Sequence, residues 1–260
     1  DAPVAVQSMT SCDTRDVRAT IEQIRTLEDA GCEIIRVAVP DEEAASAIKE
    51  IRPKINIPLI ADIHFRDDLA VMAMNYGADA IRINPGNIPV DGIRRIVSAA
   101  KQSKKAIRVG VNSGSLEKDI AARHGGPTAP ALVESALRNI HLLEEMGFTD
   151  MKLSLKSSDV STTIEAYRSI SVLTDYPLHL GFTEEVTLLQ SSIKSALGIG
   201  TLLYEGIGDT IRVSITGDPL QEISVAYSIL RALKIRNVGP EIISCPTCGR
   251  CEIDLVSLTS

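Results

Sequence analysis

The stretch "AIRVGVNSG" (106–114) reads as a strand running into a turn, with a charge set in its middle. Ile107, Val109 and Val111 alternate with Arg108, so the apolar side chains share one face while Arg108 and Asn112 share the other. Three further stretches repeat the pattern. "EIIRVAVP" (33–40), "AIRINPG" (80–86) and "TIRVSIT" (210–216) set Arg36, Arg82 and Arg212 between apolar residues, and "MKLSLKSS" (151–158) offers Lys152 and Lys156 in a similar place. "VAVQSMT" (4–10), "IPLIADIHF" (57–65) and "PLHLGFTE" (177–184) complete a set of eight strands.

Between the strands lie amphipathic helices. The first carries Val17, Ile21, Ile24 and Leu27 on one face and closes at Gly31. Another starts at the acidic Asp41, and "RDDLAVMAMNYG" (66–77) again ends in Gly. The helix from Thr128 points Leu132, Leu137 and Ile140 inward before Gly147, while "SLEKDIAARHGGP" (115–127) reads as an added helix and loop. Strict alternation of strand and helix implies a parallel sheet. Eight such units predict an α/β chain, a closed (β/α)8 TIM barrel over residues 1–237. The competing open, doubly wound sheet lacks its usual G-x-G-x-x-G turn after the first strand.

Composition agrees with buried parallel strands. Of 260 residues 44% are hydrophobic, yet aromatics make up only 3%, so Ile, Val, Leu and Ala fill the core. The net charge of −7 argues against general nucleic-acid binding, which needs a basic surface. No apolar run is long enough for a membrane span, and no basic, hydrophobic signal segment opens the chain. Five Cys, three of them clustered, look like metal ligands in a reducing compartment rather than a disulfide framework.

The repeated inward cation is the functional signal. A single Arg inside a barrel reads as an ion-paired core residue, here with Asp62 or Glu184. Four or five from different strands do not, because each unpaired buried charge costs several kcal/mol. A ligand best supplies the missing anion. Arg forks and the amides of Asn84 and Asn112 suit phosphate oxygens, and barrel sites open at the strands' C-terminal ends. The expected substrate is a small diphosphate or bisphosphate.

Asp62 and His64 are expected on one face of strand three, and His179 and Thr183 on one face of strand seven. On spacing alone Glu184 is equally an acid/base or a helix cap. His124 and His141 read as surface or packing residues, Cys12 and Cys32 as structural. Close helix–strand packing explains Gly198, Gly200, Gly206 and Gly208 as well as phosphate binding does.

Residues 238–260 form a separate tail. Cys245, Cys248 and Cys251 stand at C-x2-C-x2-C spacing, which iron–sulfur and zinc sites share. The residues alone leave open a cofactor-independent phosphosugar lyase or condensing barrel with a structural zinc tail, or a non-catalytic barrel that binds an anionic metabolite.

With these motifs set out, the chain resembles the 4-hydroxy-3-methylbut-2-enyl diphosphate synthases of the non-mevalonate isoprenoid pathway. The resemblance rests on "VAVQSMTSCDTRDV", "ADIHF", "IRINPGN", "RVGVNSGSLEKD", "LHLGFTE", "EGIGDTIRVS" and "ISCPTCGR", and so covers nearly the whole chain. It implies a TIM barrel joined to a ferredoxin-like domain that carries a [4Fe–4S] cluster. Its reaction would be reductive ring opening and dehydration of 2-C-methyl-D-erythritol 2,4-cyclodiphosphate, with electrons from ferredoxin or flavodoxin. It also implies a homodimer, in the bacterial cytoplasm or a plastid stroma.

Carried over by motif, the resemblance assigns the diphosphate to Arg82, Arg108, Asn112, Lys156, Arg212 and Ser214, with Arg36 close by. Asp62 and His64 would line the site, and Glu184 would be the acid near the ring-opening carbon. Cys245 and Cys248 would be cluster ligands, completed by a Cys and a Glu outside this chain, which by itself would bind diphosphate without turning over. Two positions depart from the pattern. The family has T-E-A-G where this chain has Thr183-Glu184-Glu185-Val186, and the position of Cys251 is generally not a ligand there.

Overall fold

The computed structural model describes residues 2–183, 187–237, 245, 248–254 and 257. Its strands are β1 (Ala5–Met9), β2 (Ile34–Ala38), β3 (Leu59–Asp62), β4 (Ala80–Ile83), β5 (Ala106–Asn112), β6 (Met151–Lys156), β7 (His179–Gly181) and β8 (Thr210–Arg212). The helices are α1 (Val17–Asp29), α2 (Glu42–Ile51), α3 (Asp67–Asn75), α4 (Val90–Ser103), α5 (Lys118–His124), α6 (Ala129–Glu145), α7 (Val160–Ser171), α8 (Leu188–Tyr204) and α9 (Pro219–Ala232). All eight expected strands are present, and α5 is the added helix after β5. The strands pair in parallel in the order β6-β5-β4-β3-β2-β1-β8-β7. Ile35, Val37, Ile81, Ile83, Ile107, Val109, Leu153 and Leu155 are buried between sheet and helices, which turns the alternate residues of those strands into the barrel.

The barrel closes at a thin seam. β6 meets β7 at one bridge, Leu153 with Leu178, where the Leu153 N–H donates to the Pro177 carbonyl at 2.9 Å. Beyond it Tyr167 of α7 replaces the ladder: its hydroxyl accepts from the Leu155 N–H at 3.0 Å and donates to the His179 carbonyl at 2.5 Å. The phenol is fully buried, and it satisfies two backbone groups that would otherwise lie unpaired in the core.

The helices begin at the strands' C-terminal ends. Asp16, Asp41, Thr128, Asp159, Thr187 and Asp218 each cap the helix that follows by accepting a backbone N–H. Packing explains two of the singled-out glycines. A Cβ on Gly198 would lie 2.0 Å from the Phe182 ring, and one on Gly208, where φ is +118°, would lie 2.5 Å from Leu180. Among the described residues no helix is long and apolar enough to cross a membrane.

One expectation about the strands needs correction. β3 ends at Asp62, so His64 stands on the following loop and not on a strand face shared with Asp62. Likewise Thr183 and Ser214 lie past the ends of β7 and β8. The ladders stop early because the residues beyond them turn over the open end of the barrel.

Candidate active site at the barrel mouth

A cavity of about 390 Å³ opens at the C-terminal ends of the strands. Arg36, Asp62, His64, Arg82, Arg108, Asn112, Lys156, Arg212 and Ser214 all line it, together with Met9, Ser154, Phe182 and Thr183. Every described side chain that the resemblance assigns to the substrate is therefore gathered in one place. Glu184 lies outside the described residues. Lys152 points into the barrel below this cavity, and Asn84 caps its own turn, accepting from the Gly86 N–H and donating to Ser115.

The ladder register explains the gathering. Asp62 pairs with Arg82 across β3–β4, Arg82 with Arg108 across β4–β5, and Arg108 with Lys152 across β5–β6. Inward side chains in register on parallel strands sit side by side, so the charges form a belt.

The belt is unevenly paired. Arg82 Nη1 donates to Asp62 Oδ1 at 3.3 Å, and Arg36 Nε lies 3.7 Å from Asp62 Oδ2. The Asn112 amide is satisfied on both sides when its oxygen accepts from Arg82 Nη2 at 2.8 Å and its nitrogen donates to the Val111 carbonyl at 3.2 Å. Arg212 donates from Nη2 and Nε to Glu222 at 3.0 and 3.3 Å. Among the described residues Arg108 has only a neutral partner, donating from Nη1 to Gln7 Oε1 at 3.1 Å, while its Nε and Nη2 are buried without one. Lys156 is buried and makes no ion pair among the described residues.

Proton affinities follow from this arrangement. Burial pushes the Asp62 carboxyl up, but Arg36, the His64 hydrogen bond, Arg82 and Arg108 outweigh it and hold the group well below the usual carboxylate range. Burial lowers Arg36 to about 10, against the pull of Asp62. Burial and the surrounding arginines depress Arg108 and Lys156 well below their ordinary values. His179, fully buried beneath the belt with Nδ1 2.9 Å from Thr210 Oγ1, is depressed by burial and by Arg108, and so is neutral. Arg36, Arg108 and Lys156 are thus held at a cost that an anion would relieve.

Comparison with known proteins gives the family of the barrel. Residues 1–227 match the GcpE TIM-barrel domain. The chain belongs to the GcpE family. A 4-hydroxy-3-methylbut-2-en-1-yl diphosphate synthase (flavodoxin) of Nitratidesulfovibrio vulgaris is 60% identical over 257 residues, covering 98% of this chain and 67% of that protein. The like-named protein of Caldanaerobacter subterraneus is 59% identical, covering 99% and 73%. Among solved structures, dihydropteroate synthase from Yersinia pestis superimposes with a TM-score of 0.65 over 90% of this chain and 93% of that one. At 11% identity that likeness concerns the fold alone.

Within this GcpE barrel several site residues escaped the sequence reading. Among the described residues the carboxylate partner of Arg212 is Glu222, buried in the first turn of α9; it also accepts from the Ser8 hydroxyl at 2.8 Å and the Ile215 N–H at 3.2 Å. Gly110 and Gly181 make room for the charges: a Cβ would lie 2.6 Å from Arg82 Nε at the first and 3.0 Å from Lys156 Nζ at the second. Glycine inside a strand is the signal that could have found them. Gln7 and Met9, on a strand without charge, gave no signal of their own.

The other candidates fall away from the mouth. His124 pairs with Glu134 at 2.6 Å on the surface, and Cys32 is a buried thiol pushed up to about 11 by that burial. Cys245, Cys248 and Cys251 are exposed and free, and the Arg250 backbone N–H followed by its side chain lowers the Cys248 thiol. Exposed thiols, one already biased toward thiolate, have the donor chemistry an iron–sulfur cluster takes. Much of the expected second unit, 238–260, lies outside the described residues.

Proposed function

We propose that the protein reductively opens 2-C-methyl-D-erythritol 2,4-cyclodiphosphate and releases water, giving 4-hydroxy-3-methylbut-2-enyl diphosphate. One observation carries the site assignment. In the mouth five cations, Arg36, Arg82, Arg108, Lys156 and Arg212, face two carboxylates among the described residues, and two buried N–H groups of Arg108 have no acceptor. A diphosphate is the small ligand with the charge and the oxygens to satisfy them.

In this reading Arg82, Arg108, Lys156 and Arg212 hold the diphosphate by charge-assisted hydrogen bonds, with Arg36 beside them and Asn112 and Ser214 adding neutral ones. That clamp fixes the ring relative to the groups above it. Asp62 stays ionised and keeps Arg36 and Arg82 in place. His64, its Nε2 3.5 Å from Asp62, is a half-exposed imidazole at the rim. Glu184 gives a proton to the oxygen that leaves as water.

Cys245 and Cys248 are the ligands this chain gives to a [4Fe–4S] cluster, with a Cys and a Glu outside it completing the set. The cluster, when bound, would pass the two electrons of the reduction one at a time from the external donor. Flavodoxin is the donor, in line with the names of the relatives, and the reaction takes place in the cytoplasm. The assembly is a homodimer. On α8 Leu189, Ile193, Leu197 and Tyr204, each more than half exposed, form an apolar stripe that a second copy would cover.

Turnover tests the reading. The complete protein, reconstituted anaerobically with iron and sulfide, is expected to convert the cyclic diphosphate with reduced flavodoxin. Zinc in place of iron, or conversion without a reductant, would overturn it.

A further inference from the structure

β1 carries no charge, yet two of its inward side chains hold three of the five cations. Gln7, 2% exposed, accepts from Arg108 Nη1 at 3.1 Å. Two residues on, Met9 Sδ accepts from Arg36 Nε and Nη2 at 3.2 and 3.0 Å and lies 3.7 Å from Arg212 Nη1. Ser8, between them, points the other way and donates to Glu222. The alternation of one short strand thus sets an amide oxygen and a thioether against the guanidinium groups of β2, β5 and β8.

What these acceptors share is the absence of charge. A buried guanidinium needs acceptors, because an unmet N–H is costly away from water. A carboxylate would meet that need but also cancel the charge, and an incoming diphosphate would have to compete with it. An amide oxygen or a polarisable thioether fixes the direction of the guanidinium and leaves its charge uncancelled. Arg108 shows the result, oriented through Nη1 with Nε and Nη2 still open among the described residues.

We propose that Gln7 and Met9 are positioning residues of the reaction, neutral acceptors that aim Arg108, Arg36 and Arg212 at the substrate diphosphate without adding negative charge to what Asp62 and Glu222 already set against the last two. The inference rests on the diphosphate reading of the mouth and adds to it a reason for the composition of β1. It also implies that an acid here would stabilise the empty barrel at the expense of binding, which an ordinary packing residue would not do.

Gln7→Glu and Met9→Glu test this with two measurements, titration calorimetry with inorganic diphosphate and the thermal midpoint of the unliganded protein. Each variant is expected to raise the midpoint while weakening diphosphate about tenfold or more. Met9→Leu, which keeps the bulk and loses the acceptor, is expected to weaken binding more mildly and leave the midpoint near that of the wild type. Unchanged affinity in both acidic variants would overturn the proposal, as would affinity and midpoint falling together, or neither acidic variant folding. A wild-type protein that fails to bind diphosphate is a separate result: it would remove the reading of the mouth itself.

Discussion

Two sets of cations share the mouth and are held differently. Arg36, Arg82 and Arg212 each have a carboxylate, Asp62 for the first two and Glu222 for the third. Arg108 and Lys156, on the neighbouring strands β5 and β6, have none among the described residues. The paired set serves the fold as well as the site, since it links β2 to β3, β3 to β4 and β8 to α9. The second set adds no ion pair to the empty barrel among the described residues and holds its charge there at a cost. The difference separates residues that frame the site from residues whose charge is kept for the ligand.

Two substitutions should pull the sets apart. Asp62→Asn leaves Arg36 and Arg82 buried beside a neutral group, and breaking such a pair costs about 3–5 kcal/mol of stability. Denaturant unfolding of the ligand-free variant should show that loss, while its affinity for inorganic diphosphate holds or rises because a competing anion is gone. Arg108→Ala should do the opposite. Removing a buried, incompletely partnered charge leaves stability near that of the wild type or above it, and weakens diphosphate by about 2–4 kcal/mol in a calorimetric titration. If Arg108→Ala destabilised the empty protein as strongly as Asp62→Asn, the two sets would not differ in kind.

The alternation that places these charges inward was legible from residue types alone. Ile107, Val109 and Val111 could only face the helices, so Arg108 had to face the barrel, and the same held for Arg36, Arg82 and Arg212. The pairing was not legible, because closure of the barrel decides it. Gln7 and Arg108 are 101 positions apart, and they meet only because β1 and β5 stand across the barrel from each other. Glu222 lies 10 residues from Arg212, but its position in α9 marks it as an ordinary first-turn acid. His64 was misplaced by a different route: the apolar residues of "IPLIADIHF" continue the strand pattern past Asp62, where the backbone has already left the ladder. The cysteine tail offered only spacing, and spacing fixes donor chemistry without fixing the metal or the remaining ligands.

Lys156 gives the gentlest way to probe the second set, through pH rather than mutation of the framework. Its folded-state proton affinity is depressed, by burial first and then by Arg36, Arg108, Arg212 and Arg82. Between that depressed value and the unfolded value, 10.5 for this side chain, the unfolded chain binds more protons than the folded one. Stability of the ligand-free protein therefore rises with pH across that window, by at most about 1.4 kcal/mol for each unit. Lys156→Met removes a proton site from both states and should flatten the rise. Bound diphosphate should flatten it too, because the anion restores the affinity of Lys156 for its proton. Calorimetry in buffers of different ionisation enthalpy would then register proton uptake on binding in the wild type and less in Lys156→Met. Equal uptake in both proteins would show that Lys156 already carries its proton in the empty mouth.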